Sequence, residues 1–345
     1  EPELAWGSAG SSTGQFNFSV GLDYRYTGGM AVDATNLYVC DLLNNRIQVF
    51  DKAGAFLRKW GTSGSNTGQL LRPEGLAIDG IHVFVSDRGN DRVQVFTKDG
   101  AFVHTWGGAG SGNGQFSDPR GIAVDTQRVY VADVSNNRIQ MFDKSGVFIT
   151  KWGTPGSVAG QFNAPQCVAV DEQYVYVLDA WNKRLQVFDK VGTFVRSWSL
   201  PIDVPDNGLW ISTFSLAVDA HNVYVGYARS INNPVTTRLR IYDKYGVQQW
   251  AYSANNTLPL RWPAGIAVDN PVMYILDGTA PNILPLRRIF RTLGPLAPDA
   301  IPLADVLSVS QRNGQPIVDV DYLLTDPDDS TVTVYAAAFV VSTNA

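Results

Sequence analysis

The sequence contains few of the residues that build most metal and redox centres. It has two cysteines and three histidines in 345 residues. Neither a Cys-x-x-Cys pair nor a His-Glu-x-x-His segment occurs, which excludes the commonest thiol-redox and zinc signatures. We therefore expect no cofactor and no resident metal.

Charge of one sign and long apolar runs are also scarce. The net charge is −5, without a long run of either sign, whereas nucleic-acid binding requires a clustered basic face. No apolar run reaches 18 residues, so the sequence predicts no membrane span. The chain begins at Glu1 rather than Met, as a processed, exported chain does. We expect an extracellular, cell-surface or periplasmic protein.

One stretch, residues 121–162, contains four short apolar runs separated by polar or glycine-containing breaks. The runs are rich in Val, Ile, Phe and Tyr, which favour strands. The last two flank Asp-Lys-Ser-Gly, a hairpin loop with glycine where a positive φ is expected. The stretch predicts a four-stranded antiparallel meander over residues 122–124, 129–132, 139–142 and 147–152.

This unit occurs six times. The aspartate that ends the first run recurs after 46, 46, 46, 48 and 50 residues. Such a period is typical of propeller blades, whose sheets cover one another's faces. We predict an all-β, six-bladed β-propeller. The six aspartates are Asp33, Asp79, Asp125, Asp171, Asp219 and Asp269.

The N-terminal segment is expected to close the ring. Blades one to four end with a tryptophan on the outer strand, whereas the sixth repeat has none there. Trp6-Gly7 and Gly14-Gln15-Phe16 show the same pattern before blade one. We predict that this segment adds the outer strand to blade six and leaves no open edge. The four blade tryptophans are Trp60, Trp106, Trp152 and Trp198.

The repeats resemble those of NHL-repeat proteins, which are six-bladed propellers. Blades one to four carry versions of Val-Tyr-Val-x-Asp-x-x-Asn-x-Arg-Ile-Gln-Val-Phe-Asp. The resemblance covers about residues 3–293, and blade five departs from it with Gly226-Tyr227 in place of the aspartate. The resemblance implies a six-bladed propeller, which we place over residues 1–303. The composition changes after it, and we expect a β extension or an incomplete Ig-like domain over residues 304–345.

An aspartate and an arginine recur five residues apart in blades one to four. The aspartate ends the second strand and the arginine begins the third, so the two can pair across the hairpin. A residue that recurs in nearly every blade is expected to stabilise the blade itself rather than to form one site. We therefore interpret the pairs as structural. They are Asp41 with Arg46, Asp87 with Arg92, Asp133 with Arg138, and Asp179 with Arg184.

The NHL resemblance also suggests an enzymatic alternative. Some NHL propellers are peptide-amidating lyases, which hold zinc with three channel histidines. His82 and His221 fall between first and second strands and His104 on an outer strand, so they cannot converge on one ion. Calcium-dependent lactonases use similar six-bladed rings, with Glu, Asp and Asn in the channel. In this sequence Glu74 is the one such candidate, and it cannot support the comparison alone. A channel-site lyase or lactone hydrolase is the alternative function.

The two cysteines belong to opposite blades of the predicted ring. Cys40 lies in blade one and Cys167 in blade four, too far apart for a disulfide. We expect two buried free thiols.

The loops that enter the first strands, and those between the second and third strands, differ between blades. They place charged or amide side chains beside aromatic rings, which suits a protein loop, a peptide or a sugar. The alternative is that the rings fill gaps where the blade pattern lapses. The candidate ligand-binding residues are Glu74, Arg88, Arg120, Gln166, Trp181, Trp210, Tyr227 and Trp262.

The C-terminal stretch predicts three strands, over residues 306–310, 317–324 and 332–341. Its acidic turn resembles those of Ig-like or cadherin-like bacterial surface repeats; such a turn is usually only solvated, with calcium as the alternative at Asp326, Asp328 and Asp329. Three strands do not bury a core. Their apolar residues should therefore pack on the propeller, on the rest of a longer protein, or on a neighbouring subunit. The candidate assembly residues are Ile317, Tyr322, Tyr335 and Phe339.

The sequence as a whole predicts a non-catalytic extracellular or cell-envelope scaffold. A scaffold needs only an irregular exposed face or a sheet edge, whereas an enzyme needs convergent acid, base or metal groups near the axis. The expected partners are a protein or a carbohydrate, with self-assembly through the C-terminal strands, and neither nucleic acid nor a membrane span is expected.

Overall fold

The computed structural model describes residues 6–17, 28–201, 211–229, 238–253, 263–270, 272–277, 282–287, 303–311, 317–325 and 331–340. Within these ranges the chain forms 28 strands and three one-turn 3-10 helices. None of the helices is long and apolar enough to cross a bilayer.

Two short parallel strands precede five four-stranded antiparallel sheets, which follow one another along the chain. The first pair is β1 (Ser8–Ala9) and β2 (Gln15–Phe16). Blade one contains β3 (Met30–Val32), β4 (Asn36–Asp41), β5 (Arg46–Asp51) and β6 (Phe56–Trp60). Blade two contains β7 (Pro73–Ile78), β8 (His82–Asp87), β9 (Arg92–Thr97) and β10 (Phe102–Gly107). Blade three contains β11 (Pro119–Val124), β12 (Arg128–Asp133), β13 (Arg138–Asp143) and β14 (Phe148–Trp152).

The remaining sheets continue in the same order. Blade four contains β15 (Pro165–Val170), β16 (Tyr174–Asp179), β17 (Arg184–Asp189) and β18 (Phe194–Ser199). Blade five contains β19 (Ile211–Val218), β20 (Asn222–Arg229), β21 (Arg238–Asp243) and β22 (Gln248–Ser253). Blade six has a sheet of β23 (Pro263–Asp269), β24 (Val272–Asp277) and β25 (Asn282–Arg287). The 3-10 turns follow the second strands of blades one, two and four, at Leu42–Asn44, Arg88–Asn90 and Ala180–Asn182.

Burial explains why each repeat forms a sheet with these edges. The two middle strands of blade three are buried along nearly their whole length, as both faces of the sheet are covered. The outer strand β14 instead alternates, with Phe148, Thr150 and Trp152 turned inward and Ile149 and Lys151 exposed. The apolar side chains therefore drive each blade against its neighbours.

The core consists of six apolar clusters, each lying between two adjacent blades. Five of them join consecutive blades, from one and two through five and six. The sixth joins blade six to blade one, where Tyr274 and Leu276 pack with Leu37 and Phe50. Backbone contact continues across this junction, since the Gly28 N–H donates to the Ala264 carbonyl at 3.0 Å. The ring of six blades is closed.

The N-terminal segment contributes side chains to this junction. The described part of blade six is a sheet of three strands, and the fourth strand expected from this segment stays a prediction. Phe16 is fully buried in the cluster between blades six and one, and Trp6 packs against Tyr274 with ring centroids 6.2 Å apart. Trp6 also lies against Gly54 of blade one, as Trp60 lies against Gly100 of blade two. Trp6 thus takes the outer-strand tryptophan position of blade six.

In blades one to five, a lysine of the hairpin between the third and fourth strands reaches the preceding blade. Its ammonium pairs with the aspartate that ends that blade's first strand, and four of these Nζ–Oδ2 distances are 2.7–2.9 Å. A fifth pair, Lys52 with Asp269, links blade one to blade six. These contacts lie on what we call the lower face. It carries the loops between first and second strands and those between third and fourth strands. The other pairs are Lys98 with Asp33, Lys144 with Asp79, Lys190 with Asp125, and Lys244 with Asp171.

The C-terminal stretch forms the three expected strands, which make one antiparallel sheet. They are β26 (Leu303–Gln311), β27 (Ile317–Thr325) and β28 (Thr331–Val340). In the backbone register, Tyr322 is opposite Val334 and Val318 is opposite Phe339. β28 passes close to β25 of blade six.

Candidate functional site

The upper face carries the loops between second and third strands and the loops that enter each blade. At its centre, the first strands surround a cavity of about 70 Å³, which Glu74, Gln166, Cys167 and Ser215 help to line. Such a cavity holds a few water molecules but not a typical ligand, for which about 300–1,000 Å³ is usual. Chemistry on a larger molecule is therefore confined to the mouth of the channel.

Glycines allow the first strands to approach one another closely, and this close approach keeps the channel narrow. A Cβ added to Gly75 would lie 2.1 Å from the Arg120 carbonyl oxygen, and one added to Gly121 would lie 2.7 Å from the Cα of Cys167. In blades four and five the same position is occupied by Cys167 and Ser215. The Ser215 hydroxyl uses the room to donate to the Pro263 carbonyl at 3.0 Å.

Four of the predicted site residues come together at the mouth of the channel. Arg88 Nη1 lies 2.9 Å from Glu74 Oε2, and Arg120 Nη1 lies 3.7 Å from Glu74 Oε1. Gln166 Oε1 is 3.5 Å from Arg120 Nη1. Glu74, Arg120 and Gln166 are buried, and the Arg88 side chain is 16% exposed. They form one polar network rather than separate contacts.

The network has a fifth member, Asp118, that the sequence analysis missed. Its carboxylate bonds to Arg88 Nε through one oxygen, and to Arg120 Nη2 at 2.8 Å and Nε at 3.0 Å through the other. Burial acts to raise the pKa of Asp118, but the charges of Arg120 and Arg88 lower it below the usual value. Asp118 therefore stays ionised, and two arginines and two carboxylates balance one another.

The repeated aspartates and arginines hold the loop that comes from the preceding blade. In blade three, Arg138 Nε donates to the Asp133 carboxylate at 2.7 Å, and its other nitrogens donate to the carbonyls of Ser111, Gly112 and Gln115. The same geometry recurs in blades one, two and four, with Arg–Asp distances of 2.7 Å. All four aspartates are fully buried.

Two amides complete each of these clusters. In blade three, Asn136 and Gln140 both donate to Asp133. The glutamine also donates to the Gln115 carbonyl at 2.6 Å. The glutamine stands two residues after each arginine in the sequence, so its regular spacing was the signal that would have identified it.

Tyr227 does not lie on the exposed face where the sequence analysis placed it. It stands at the aspartate position of blade five and is only 3% exposed. Its hydroxyl donates to the Pro201 carbonyl at 3.1 Å and accepts from Arg240 Nε at 3.0 Å. In blade five, which lacks the aspartate cluster, a tyrosine and an arginine thus hold the incoming chain at Pro201. The tyrosine side chain is longer than that of aspartate and reaches this carbonyl directly.

Trp181 is the aromatic candidate that the structure places at the surface. It lies in the 3-10 turn of blade four and is 51% exposed. Its backbone N–H donates to the Asn163 carbonyl at 3.1 Å, and Gln166 lies at the same end of the blade. Trp210 and Trp262 are outside the described residues.

The histidines and cysteines lie apart from one another. His104 stacks on Trp106 of its own strand, and His82 lies near Asp79 on the lower face. Cys40 and Cys167 are free and buried, and burial raises the pKa of the Cys167 thiol to about 12. Among the residues whose placement is described, no three His, Cys, Asp or Glu residues are grouped to hold a metal ion. Asp326, Asp328 and Asp329 fall outside those residues.

Comparisons with known proteins identify the fold. A family model described as a 6-bladed beta-propeller matches residues 122–257. A streptogramin B lyase structure is 11% identical, with a TM-score of 0.51 over 77% of this chain and 94% of that chain. A protein of unknown function from Bacteroides caccae is 13% identical, with a TM-score of 0.53 over 74% of this chain and 90% of that one.

A third solved structure extends the comparison. A candidate exported protein from Bacteroides fragilis is 13% identical, with a TM-score of 0.51 over 75% of this chain and 82% of that chain. No curated protein matches the sequence. Identities this low show the fold alone. The six inter-blade clusters, the family match and these structures agree, and we conclude that this chain is a six-bladed β-propeller.

Proposed function

We propose that this protein is an exported, non-catalytic interaction scaffold that binds a protein or a carbohydrate through its upper face. The observation that supports this most is the network at the channel mouth. Its acids and arginines bond to one another above a cavity of about 70 Å³, and Trp181 is exposed in the turn between the second and third strands of blade four, on the same face. A surface of this kind offers an aromatic contact and directional hydrogen bonds to a ligand that lies across the face.

The closed ring suits such a role. Salt bridges on the lower face and aspartate clusters on the upper face fix each blade to the next. The loops that enter blades two, three and four are therefore held on a rigid frame, and ordering them costs a ligand little.

A binding screen tests the proposal. The wild-type protein is applied to printed arrays of glycans and of peptides, together with Trp181→Ala and a control, Tyr245→Ala. Tyr245 is 79% exposed on the lower face, so the control removes an aromatic ring that is at least as accessible as Trp181. We expect at least one class of ligand to be retained, with binding at least tenfold weaker in Trp181→Ala and unchanged in Tyr245→Ala. Absence of any ligand, or equal binding by all three proteins, would contradict the proposal.

The C-terminal sheet gives the scaffold a second contact surface, and we propose that it mediates self-assembly. A sheet of three strands has two edge strands, and edge strands can pair with further strands. Light scattering on the intact chain and on one ending at Pro302 tests this. Oligomers formed only by the intact chain support assembly, and monodisperse monomers in both samples refute it.

The alternative, a channel-site lyase or lactone hydrolase, is tested with the same protein. Turnover of small lactones that is lost in Glu74→Gln, a buried carboxylate lining the channel, would replace the scaffold proposal with an enzymatic one.

A further inference from the structure

We propose that the mouth of the channel is a receptor for a single carboxylate group, and that Asp118 occupies it as an internal ligand. This inference rests on the proposed function, because it names the ligand chemistry of the same upper face. The ligand we infer carries a carboxylate that displaces Asp118 from the two arginines.

The geometry is that of a carboxylate held at both oxygens. Arg88 comes from the turn of blade two and Arg120 from the first strand of blade three. Arg88 Nε bonds to Oδ1 of Asp118, whereas Arg120 bonds to Oδ2 at 2.8 and 3.0 Å. Guanidinium groups in this arrangement are the strongest neutralising partners that a protein offers a carboxylate.

A buried layer holds the two arginines in place from below. The Glu74 side chain is fully buried and lies 2.9 Å from Arg88 and 3.7 Å from Arg120. Gln166 contacts Arg120 from the next blade. Two arginines and one glutamate leave one positive charge for the upper side, so the preformed receptor matches one anion.

Asp118 is the most accessible member of the network, and its backbone does not require an aspartate. Its side chain is 22% exposed, whereas that of Glu74 is fully buried. Its φ is 60°, yet Arg72 and Ala164 adopt the same left-handed conformation at the equivalent positions of blades two and four. The Asp118 N–H donates to Asp91 Oδ1 at 2.9 Å, as the N–H groups of Arg72 and Ala164 donate to Asn45 and Asn137. The turn is therefore fixed by the hydrogen bond of the backbone N–H at this position, which any residue except proline can make. The side chain of Asp118 contributes only its carboxylate.

An internal carboxylate competes with the ligand at a high effective concentration. A lone carboxylate at low concentration therefore leaves Asp118 in place. A ligand that also makes contacts elsewhere on the upper face gains additional binding energy and can replace it. Asp118 in this sense makes the receptor selective for carboxylates that belong to a larger molecule.

The test uses acetate as the probe and the intact protein throughout. Asp118→Ala copies the residue that blade four carries at the same turn position, Ala164. Nuclear magnetic resonance titration with sodium acetate is expected to give a millimolar Kd in this variant and at least tenfold weaker binding in the wild type. Acetamide, which lacks the charge, should not bind either protein. Asp118→Gly provides a second vacated receptor in case the alanine variant folds poorly.

Two further variants complete the design. Adding Arg120→Gln to Asp118→Ala should abolish acetate binding, because it removes one of the two guanidinium groups. Asp99→Ala is the matched control, since that aspartate is 89% exposed on a lower-face hairpin, and it should bind acetate no better than the wild type. Equal acetate affinity in wild type and both vacated variants, or equal response to acetamide, overturns the proposal. Because acetate needs no partner, this result is independent of the array screen and of Trp181.

Discussion

At the scale of single residues, stability depends on buried charges that are fully paired. In blades one to four, the aspartate at the end of the second strand accepts hydrogen bonds from an arginine, two amides and a backbone N–H; in blade three this N–H belongs to Ser117, at 2.8 Å. A buried carboxylate is tolerated only when its partners are in place. The cluster therefore works as a unit, and removing one partner costs more than one hydrogen bond.

Replacing Arg138 with glutamine tests this directly. The change leaves the fully buried Asp133 without its cation, so we expect the free energy of unfolding to fall by about 3–5 kcal/mol. Urea denaturation followed by tryptophan fluorescence measures the loss. Lys151→Gln, an exposed position on the outer strand of the same blade, should change stability by less than about 0.5 kcal/mol. A similar loss of unfolding free energy in both variants would show that the buried Arg138–Asp133 pair contributes no more to stability than an exposed charge.

At the scale of elements, the first strands are packed so closely that side chains at one position are excluded. Gly29, Gly75, Gly121 and Gly265 all lie against the backbone of a neighbouring blade. Close approach of backbones is a packing requirement rather than a turn requirement, because these four glycines need no positive φ.

Gly75→Ala is expected to destabilise the protein. The new methyl group would lie 2.1 Å from the Arg120 carbonyl oxygen, which forces blades two and three apart at a cost of about 1–3 kcal/mol or more. Gly80→Ala in the same blade meets nothing within 4 Å and should be close to neutral. Melting temperatures of the two variants measure the difference, and a neutral Gly75→Ala would contradict the close packing of the first strands.

The hairpin lysines act as links between elements and predict a pH dependence. Burial acts to raise the pKa of Asp33, but hydrogen bonds from Lys98 and from the backbone lower it to about 2. Because the folded pKa lies below the unfolded value of about 3.9, the link stabilises the fold above pH 4 and is lost as pH falls towards 2. The pKa values of Asp79, Asp125 and Asp171 are lowered for the same reason: burial acts to raise each pKa, but hydrogen bonds from a lysine and from backbone N–H groups outweigh it.

Lys98→Met should therefore be less stable than the wild type at pH 7, and the difference should shrink between pH 4 and 2. Thermal unfolding at several pH values measures it. Lys59→Met, in an exposed position of blade one, should show no such trend. A Lys98→Met deficit that stays constant down to pH 2 would rule out the ion pair as its cause.

At the scale of the whole molecule, the ring is closed by residues from both ends of the repeat array. Trp6 and Phe16 enter the cluster between blades six and one, and Lys52 pairs with Asp269 across the same junction. The fold therefore depends on a segment that precedes blade one.

Trp6→Ala should open this junction selectively. The loss of packing on Tyr274 and Gly54 is expected to cost about 3 kcal/mol. Hydrogen exchange should accelerate in β3 and β23, the strands that meet there. Trp106→Ala removes an equivalent ring between blades two and three and should accelerate exchange in β7 and β11 instead. Hydrogen exchange that accelerates equally in all blades of either variant would show that the junction does not open independently of the rest of the ring.

Much of this architecture follows from the sequence alone. The fixed period, the apolar runs and the repeated hairpin glycines specify the blades, because a four-stranded sheet of this pattern must cover both faces with copies of itself. The recurrence of Trp-Gly and Gly-Gln-Phe before blade one specifies how the ring closes. Four site residues at the channel mouth were also predicted, since their loops break a pattern that is uniform elsewhere.

Only the tertiary structure decided what those side chains do. Asp118 and the hairpin lysines find their partners in other blades, and Lys98 lies 65 residues from the aspartate it binds. Tyr227 was expected at the surface and is buried, because it stands on the second strand of blade five at the position that the buried aspartates occupy in blades one to four. Local periodicity determines which faces of a strand are apolar. Which charge meets which depends on how six sheets are arranged around one axis, and that is a property of the closed ring.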